Sequence, residues 1–175
     1  MFNWKIFLIL SVLNALFMLW SYWRFRYVHA ICRFCAFESI MALILLVKDK
    51  WYDHPFAFHQ TFSWIFLFAS LCFVIVGISH LMKKGEPQGH FENTTKLVSR
   101  GIYEYIRHPI YTALILLGIS SFIKEMNWLN FLVLVLYVIF IYLTAKSEEN
   151  ELVNKFGHDY QLYMARTKRF IPFVF

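Results

Sequence analysis

The sequence predicts an all-α, polytopic integral membrane protein with about five transmembrane helices and a C-terminal amphipathic helix. Its composition is the first reason. Hydrophobic residues make up 59% of 175 positions and charged residues 16%, whereas a soluble domain is about half apolar and about a quarter charged. Long uncharged runs are the second. No Lys, Arg, Asp or Glu occurs in Ile6–Trp23, His54–Met82 or Met126–Ala145, and a crossing needs ~20 mostly apolar residues. The third is that basic residues cluster between these runs, as they do where loops meet a membrane surface.

In sequence order, Ile6–Trp23 is the first span. Its aromatic exit, Trp20-Ser-Tyr-Trp23, lacks the small residues of a signal-peptide cleavage site, so the span is expected to be retained. After a basic turn with Arg24, Arg26, His29 and Arg33, a second span covers about Ala30–Val47. Glu38 lies inside it and is expected to pair with Arg33 or a neighbouring helix. Cys32 and Cys35 have C-x-x-C spacing, but with no second ligand pair nearby they read as small residues at a helix entrance, not a metal site. The third span runs about Thr61–Leu81. Lys83–Lys96 is a long polar loop with two Gly and a Pro in its first half. Pro109–Ile123 is a short fourth run, Met126–Ala145 a fifth, and Lys146–Arg169 an amphipathic helix with a break expected at Gly157. The whole reads as a single membrane domain. Residues 1–82 hold three spans, and residues 83–175 hold the loop, spans four and five and the last helix.

Charge orients the spans. With the N-terminus outside, the inner segments carry Arg24, Arg26 and Arg33, then Lys83, Lys84, Lys96, Arg100 and Arg107, then Lys146, Lys155, Arg166, Lys168 and Arg169. The outer segments keep only Lys5, Lys48, Lys50 and Lys124. The positive-inside rule then places the loop before Pro109 and the end of span five in the cytoplasm. The net charge of +6 is read as membrane-facing and not as a nucleic-acid surface, because the basic residues flank apolar runs.

The densest chemistry is Gly101-Ile-Tyr-Glu-Tyr-Ile-Arg-His-Pro-Ile-Tyr111. Pro suits the first helical position, where its missing N–H has no partner to lose. A helix is therefore expected from Pro109, with Arg107 and His108 at a mouth whose free amides favour an anion. Consecutive antiparallel helices make the start of span four and the end of span five neighbours, so His108 and Glu148 are expected close in space. A ligand carrying both charges suits such a pair. The plainer alternative is a snorkelling Arg107, a proline-started helix and a solvated glutamate face.

Gly101-Ile-Tyr103, Arg107-His-Pro-Ile-Tyr111, Glu148-Glu149, Leu152, Phe156-Gly157, Tyr160 and Tyr163 together resemble the isoprenylcysteine carboxyl methyltransferases. The related membrane phospholipid methyltransferases share the Arg-His-Pro and Glu-Glu elements. The resemblance covers about residues 88–172. It implies a membrane enzyme that uses S-adenosyl-L-methionine to methylate a lipophilic substrate entering from the bilayer, most closely the carboxylate of an isoprenylated cysteine. By motif, the cofactor would lie among Gln88, Thr95, Lys96, Leu97, Val98, Tyr103, His108, Pro109, Ile110, Tyr111, Glu148 and Glu149, with Arg107 and Glu148 as catalytic residues. The family's eukaryotic members carry an Arg near the substrate carboxylate four residues before the first glutamate; here Thr144 stands there. A phospholipid or other lipophilic-amine N-methyltransferase is the enzymatic alternative, and a membrane transport or scaffold protein the non-enzymatic one.

Overall fold

A computed structural model describes residues 3–25, 30–88 and 94–174. Part of the basic turn after span one, including Arg26 and His29, and part of the polar loop after Gln88 lie outside the described residues. The described residues form six α-helices: α1 Trp4–Phe25, α2 Ala30–Leu46, α3 Phe58–Lys84, α4 Pro109–Lys124, α5 Trp128–Phe156 and α6 His158–Arg166. No strand occurs among them. Three helices, α1, α3 and α5, are long and apolar enough to cross a membrane. The other two expected spans are helices as well, but shorter, with 17 residues in α2 and 16 in α4. At ~1.5 Å per residue, α4 extends about 24 Å, less than the ~30 Å hydrocarbon core.

One boundary differs from the sequence reading. The polar segment after Ala145 does not begin a new helix. Instead α5 continues through Lys146, Glu148 and Glu149 to Phe156. Lys, Glu and Ala are good helix formers, so leaving the apolar stretch changes the surroundings of the helix without ending it. The break falls at Gly157, whose φ of +60 suits glycine, and the short α6 follows.

Two compact units divide the protein: Met1–Leu67 with Leu117–Glu148, and Phe68–Leu116 with Glu149–Phe175. In the first, α1 and α2 pack through a polar knot. Glu38 on α2 accepts hydrogen bonds from Ser11 Oγ and, at 2.7 Å, from Asn14 Nδ2, both on α1. So of the two partners expected for Glu38, the neighbouring helix is seen to supply these bonds. Interhelical bonds of this kind are an accepted glue where apolar surface gives no net drive. Elsewhere in the same unit, Lys124 is buried, not snorkelling. Its Nζ donates to Gln60 Oε1 at 2.9 Å and lies 3.7 Å from the Trp64 ring centroid. Ser63 Oγ donates to the Ser120 carbonyl at 2.9 Å, and Tyr137 packs over Gly118.

In the second unit, small residues let α3 approach α4. Ser70 Oγ donates to the Ala113 carbonyl at 2.7 Å. A Cβ on Gly77 would stand 3.0 Å from Ile110 Cγ1, so that glycine sets how closely the start of α4 lies on α3. This contact fixes the position of the α4 mouth.

Candidate functional site

The mouth of α4 is reached through a single 3-10 turn, Gly101–Glu104. Gly101 has φ +75, a conformation costly for residues with a Cβ, and a Cβ there would sit 2.2 Å from His80 Nε2. Gly101→Ala is therefore expected to cost about 1–3 kcal/mol through backbone strain, before any displacement of His80. A lowered thermal midpoint in detergent checks this; an unchanged midpoint would mean that the turn relaxes freely.

After the turn the backbone pairs with the tail that follows α6. Arg107 N donates to the Lys168 carbonyl at 2.8 Å, His108 N to the Arg169 carbonyl at 3.1 Å, and Lys168 N to the Tyr105 carbonyl at 3.1 Å. Thr112 Oγ1, in the first turn of α4, donates to the Phe170 carbonyl at 2.9 Å. Backbone groups just before a helix have no helical partner, and here the tail supplies one.

That pairing brings four polar side chains into a buried cluster. Arg107 Nε donates to Glu149 Oε1 at 2.8 Å, and Arg169 Nη2 to Glu149 Oε2 at 2.6 Å. His108 Nε2 lies 3.3 Å from Glu149 Oε1. The Glu149 side chain is only 3% exposed and that of Arg107 only 8%. Arg107 Nη1 also donates to the carbonyls of Met164 at 3.2 Å and of Thr167. Two guanidinium groups share one carboxylate, so the cluster keeps one positive charge in excess.

Aromatic rings frame it. His108 stacks on Tyr111 with centroids 5.3 Å apart, and Phe170 lies 6.1 Å away. Tyr163 O–H donates to the Tyr103 carbonyl at 2.7 Å, while Tyr103 O–H reaches the Gly77 carbonyl at 3.4 Å. Burial pushes the Tyr163 hydroxyl's pKa up, which keeps it a donor.

The structure thus gathers Tyr103, Arg107, His108, Tyr111 and Glu149 at one place, with Pro109 and Ile110 packed on Gly77. Thr95 and Lys96 belong to a loop closed by their amides on the Gly85 carbonyl, at 2.9 and 3.1 Å, with Lys96 paired to Glu86. Val98 is buried, Leu97 half-buried and Gln88 exposed. Glu148 is half-buried and belongs to the first unit. The carboxylate seen beside His108 is that of Glu149. Successive residues of a helix point ~100° apart, so the two glutamates face different directions.

Sequence reasoning did not single out Arg169, Thr167 or Phe170. The available signal was the string Thr167-Lys-Arg-Phe-Ile-Pro172, with cations and aromatics crowded after a helix, in a protein that already offered an acidic pair.

An all-helical chain with long apolar helices and a buried Arg-His-Glu-Arg cluster at a helix mouth defines a membrane protein with a polar site at one helix end. The model of the phospholipid methyltransferase family matches residues 58–159, more than half of the chain, and the chain belongs to this family, which is related to the isoprenylcysteine carboxyl methyltransferases. The protein is therefore a membrane methyltransferase, and methyltransferases of this family generally use S-adenosylmethionine. The searches of curated proteins and of solved structures return no match.

Proposed function

We propose that the protein transfers a methyl group from S-adenosyl-L-methionine to a lipophilic acceptor, most closely the carboxylate of an isoprenylated cysteine or a similar lipid-linked acid. The observation that carries this is the buried Arg107–Glu149–Arg169 cluster with His108, at the N-terminus of α4, in a protein of this family.

The residues fit the cofactor's chemistry. The amides of Ile110 and Tyr111, in the first turn of α4, and the excess positive charge behind them suit its carboxylate. The faces of Tyr103 or Tyr111 suit its sulfonium, and Glu148 suits its ammonium or ribose hydroxyls. Gln88 and Thr95–Val98 would complete the site. When bound, the cofactor supplies an electrophilic methyl group. The protein's own residues orient, exclude water and balance charge. Because Arg107 is engaged by Glu149 and two carbonyls, its role in this reading is to position His108 and the tail. Glu149 does the same from α5, and Glu148 keeps the ligand-facing role.

The topology belongs to the same proposal. Five crossings, with α2 and α4 tilted or paired to span the bilayer, and the N-terminus outside would place the α4 mouth in the cytoplasm. An acceptor could then enter from the bilayer and the cofactor from the cytosol.

Thr144, in the place of the related family's Arg, and the match to a phospholipid methyltransferase family favour a second reading, N-methylation of a phospholipid amine. Detergent-purified protein, labelled adenosylmethionine, a farnesylcysteine analogue and phosphatidylethanolamine distinguish the two. Base-labile label on the first supports ester formation; label on the amine lipid alone overturns it.

Calorimetry with adenosylhomocysteine tests the site itself. His108→Ala and Glu148→Ala are each expected to weaken binding about 10–100-fold, the loss of one charge-assisted hydrogen bond. Unchanged affinity in both would put the pocket elsewhere.

A further inference from the structure

The tail that closes the α4 mouth does not end there. Beyond the buried Phe170 it runs on as Ile171-Pro-Phe-Val174, and every one of these residues is exposed. Ile171 is 53% exposed, Phe173 80% and Val174 71%. Tyr105, itself exposed, meets the Phe173 ring edge-to-face with centroids 6.0 Å apart. So aromatic and aliphatic side chains form one outward-facing patch, just after the point where the tail backbone is tied to the segment before α4 and to its first turn.

Three observations say what covers it. First, the patch emerges next to the first turn of α4, to which Thr112 fastens the Phe170 carbonyl. The apolar body of α4 follows directly, so the patch stands at the level where an apolar helix begins. Second, the residues just before it, Arg166 and Lys168, are exposed cations. A cationic rim beside an apolar tip fits the headgroup and upper acyl region of a bilayer that carries anionic lipid. Third, Tyr105 is of a residue type enriched at membrane–water interfaces, and Phe173 is of the apolar kind that an interfacial segment buries below the headgroups.

We propose that Tyr105 and Ile171–Val174 form an interfacial anchor that dips into the leaflet facing the α4 mouth, with Arg166 and Lys168 on its phosphates. The anchor continues directly from the residues that hold the mouth. Arg169 binds Glu149, and the Lys168 and Arg169 carbonyls receive the Arg107 and His108 amides. Lipid contact and the geometry of the site are thus joined through a few residues of backbone. The anchor itself does not depend on the methyl-transfer reading and is tested without it.

The test uses the full-length protein in bilayers containing anionic lipid, with Cys32, Cys35 and Cys72 replaced by serine. An environment-sensitive fluorophore is attached at Phe173→Cys and, as a control on the same unit, at Asp159→Cys. The label at 173 is expected to be quenched several-fold more by lipids spin-labelled near the headgroup than by an aqueous quencher, with the reverse at 159. Replacing anionic by neutral lipid is expected to reduce the lipid quenching at 173. Aqueous quenching at 173 equal to that at 159 overturns the proposal. A label at 173 shielded from both quenchers also overturns it, because a protein surface would then cover the patch.

Discussion

Glu149→Ala is expected to destabilise the protein by about 3–5 kcal/mol, the range for removing one partner of a buried ion pair. The carboxylate is nearly inaccessible and answers Arg107, Arg169 and His108 at once. Without it, two guanidinium groups would face each other in a buried setting, stripped of the carboxylate they share. Whole domains are stable by only about 5–15 kcal/mol, so such a loss should show as a large drop in thermal midpoint, or as failure to purify as a single species. The informative comparison is Glu148→Ala, which removes the same charge one residue earlier from a half-buried position. It should lower the midpoint far less than Glu149→Ala does while weakening adenosylhomocysteine binding. If the two variants unfold alike, the cluster does not hold the fold, and the division of roles between the glutamates is wrong.

The second expected result is that Arg107→Lys fails to rescue Arg107→Ala. Arginine reaches Glu149 through Nε while Nη1 binds the Met164 and Thr167 carbonyls. A lysine is a compact point charge and cannot span that fork. It would keep the attraction to Glu149 and release the two carbonyls at the end of α6. Those carbonyls fix where the tail turns back, so the loss should appear at the tail pairing. Hydrogen exchange reads it directly at the backbone amides of position 107 and His108, which donate to the tail, and of Lys168, which donates from the tail to the Tyr105 carbonyl. Acceleration of about 10–100-fold corresponds to about 1.4–2.8 kcal/mol of lost local protection. Exchange at these amides equal to wild type would show that the tail stays docked without the arginine.

Much of this was readable from sequence because the determinants are local. Uncharged runs of span length are a property of composition, and each became a helix. Pro109 starts α4 because a proline ring suits the first helical position, and the helix does begin there. Gly157 breaks the amphipathic run because glycine accepts φ values that other residues resist, and α5 stops beside it. By contrast, the change from apolar to polar at Ala145 looked like a boundary and is not one. Polarity says where a helix lies, and the backbone needs a reason of its own to stop.

The site residues divide in the same way. Arg107, His108 and the glutamate pair stand out as polar groups beside apolar runs, and Tyr111 through the Arg-His-Pro-Ile-Tyr motif it completes. Arg169 does not, because its role depends on a reversal of direction after α6 that no nearby residue announces. Connectivity alone suggests Glu148 beside His108, yet the carboxylate 3.3 Å from His108 Nε2 is that of Glu149, because the rotation of α5 about its axis decides, and one residue changes that by ~100°.

By itself the sequence determined the helical class, the apolar segments, the proline-started mouth and the chemical types gathered near it. These follow from composition, spacing and local backbone preference. Only the tertiary structure decided that Glu149 sits between Arg107 and Arg169, that the tail pairs with the backbone before α4, and that Ile171–Val174 faces outward. Each of these depends on contacts between residues far apart in sequence, and close packing, not local preference, selects such contacts.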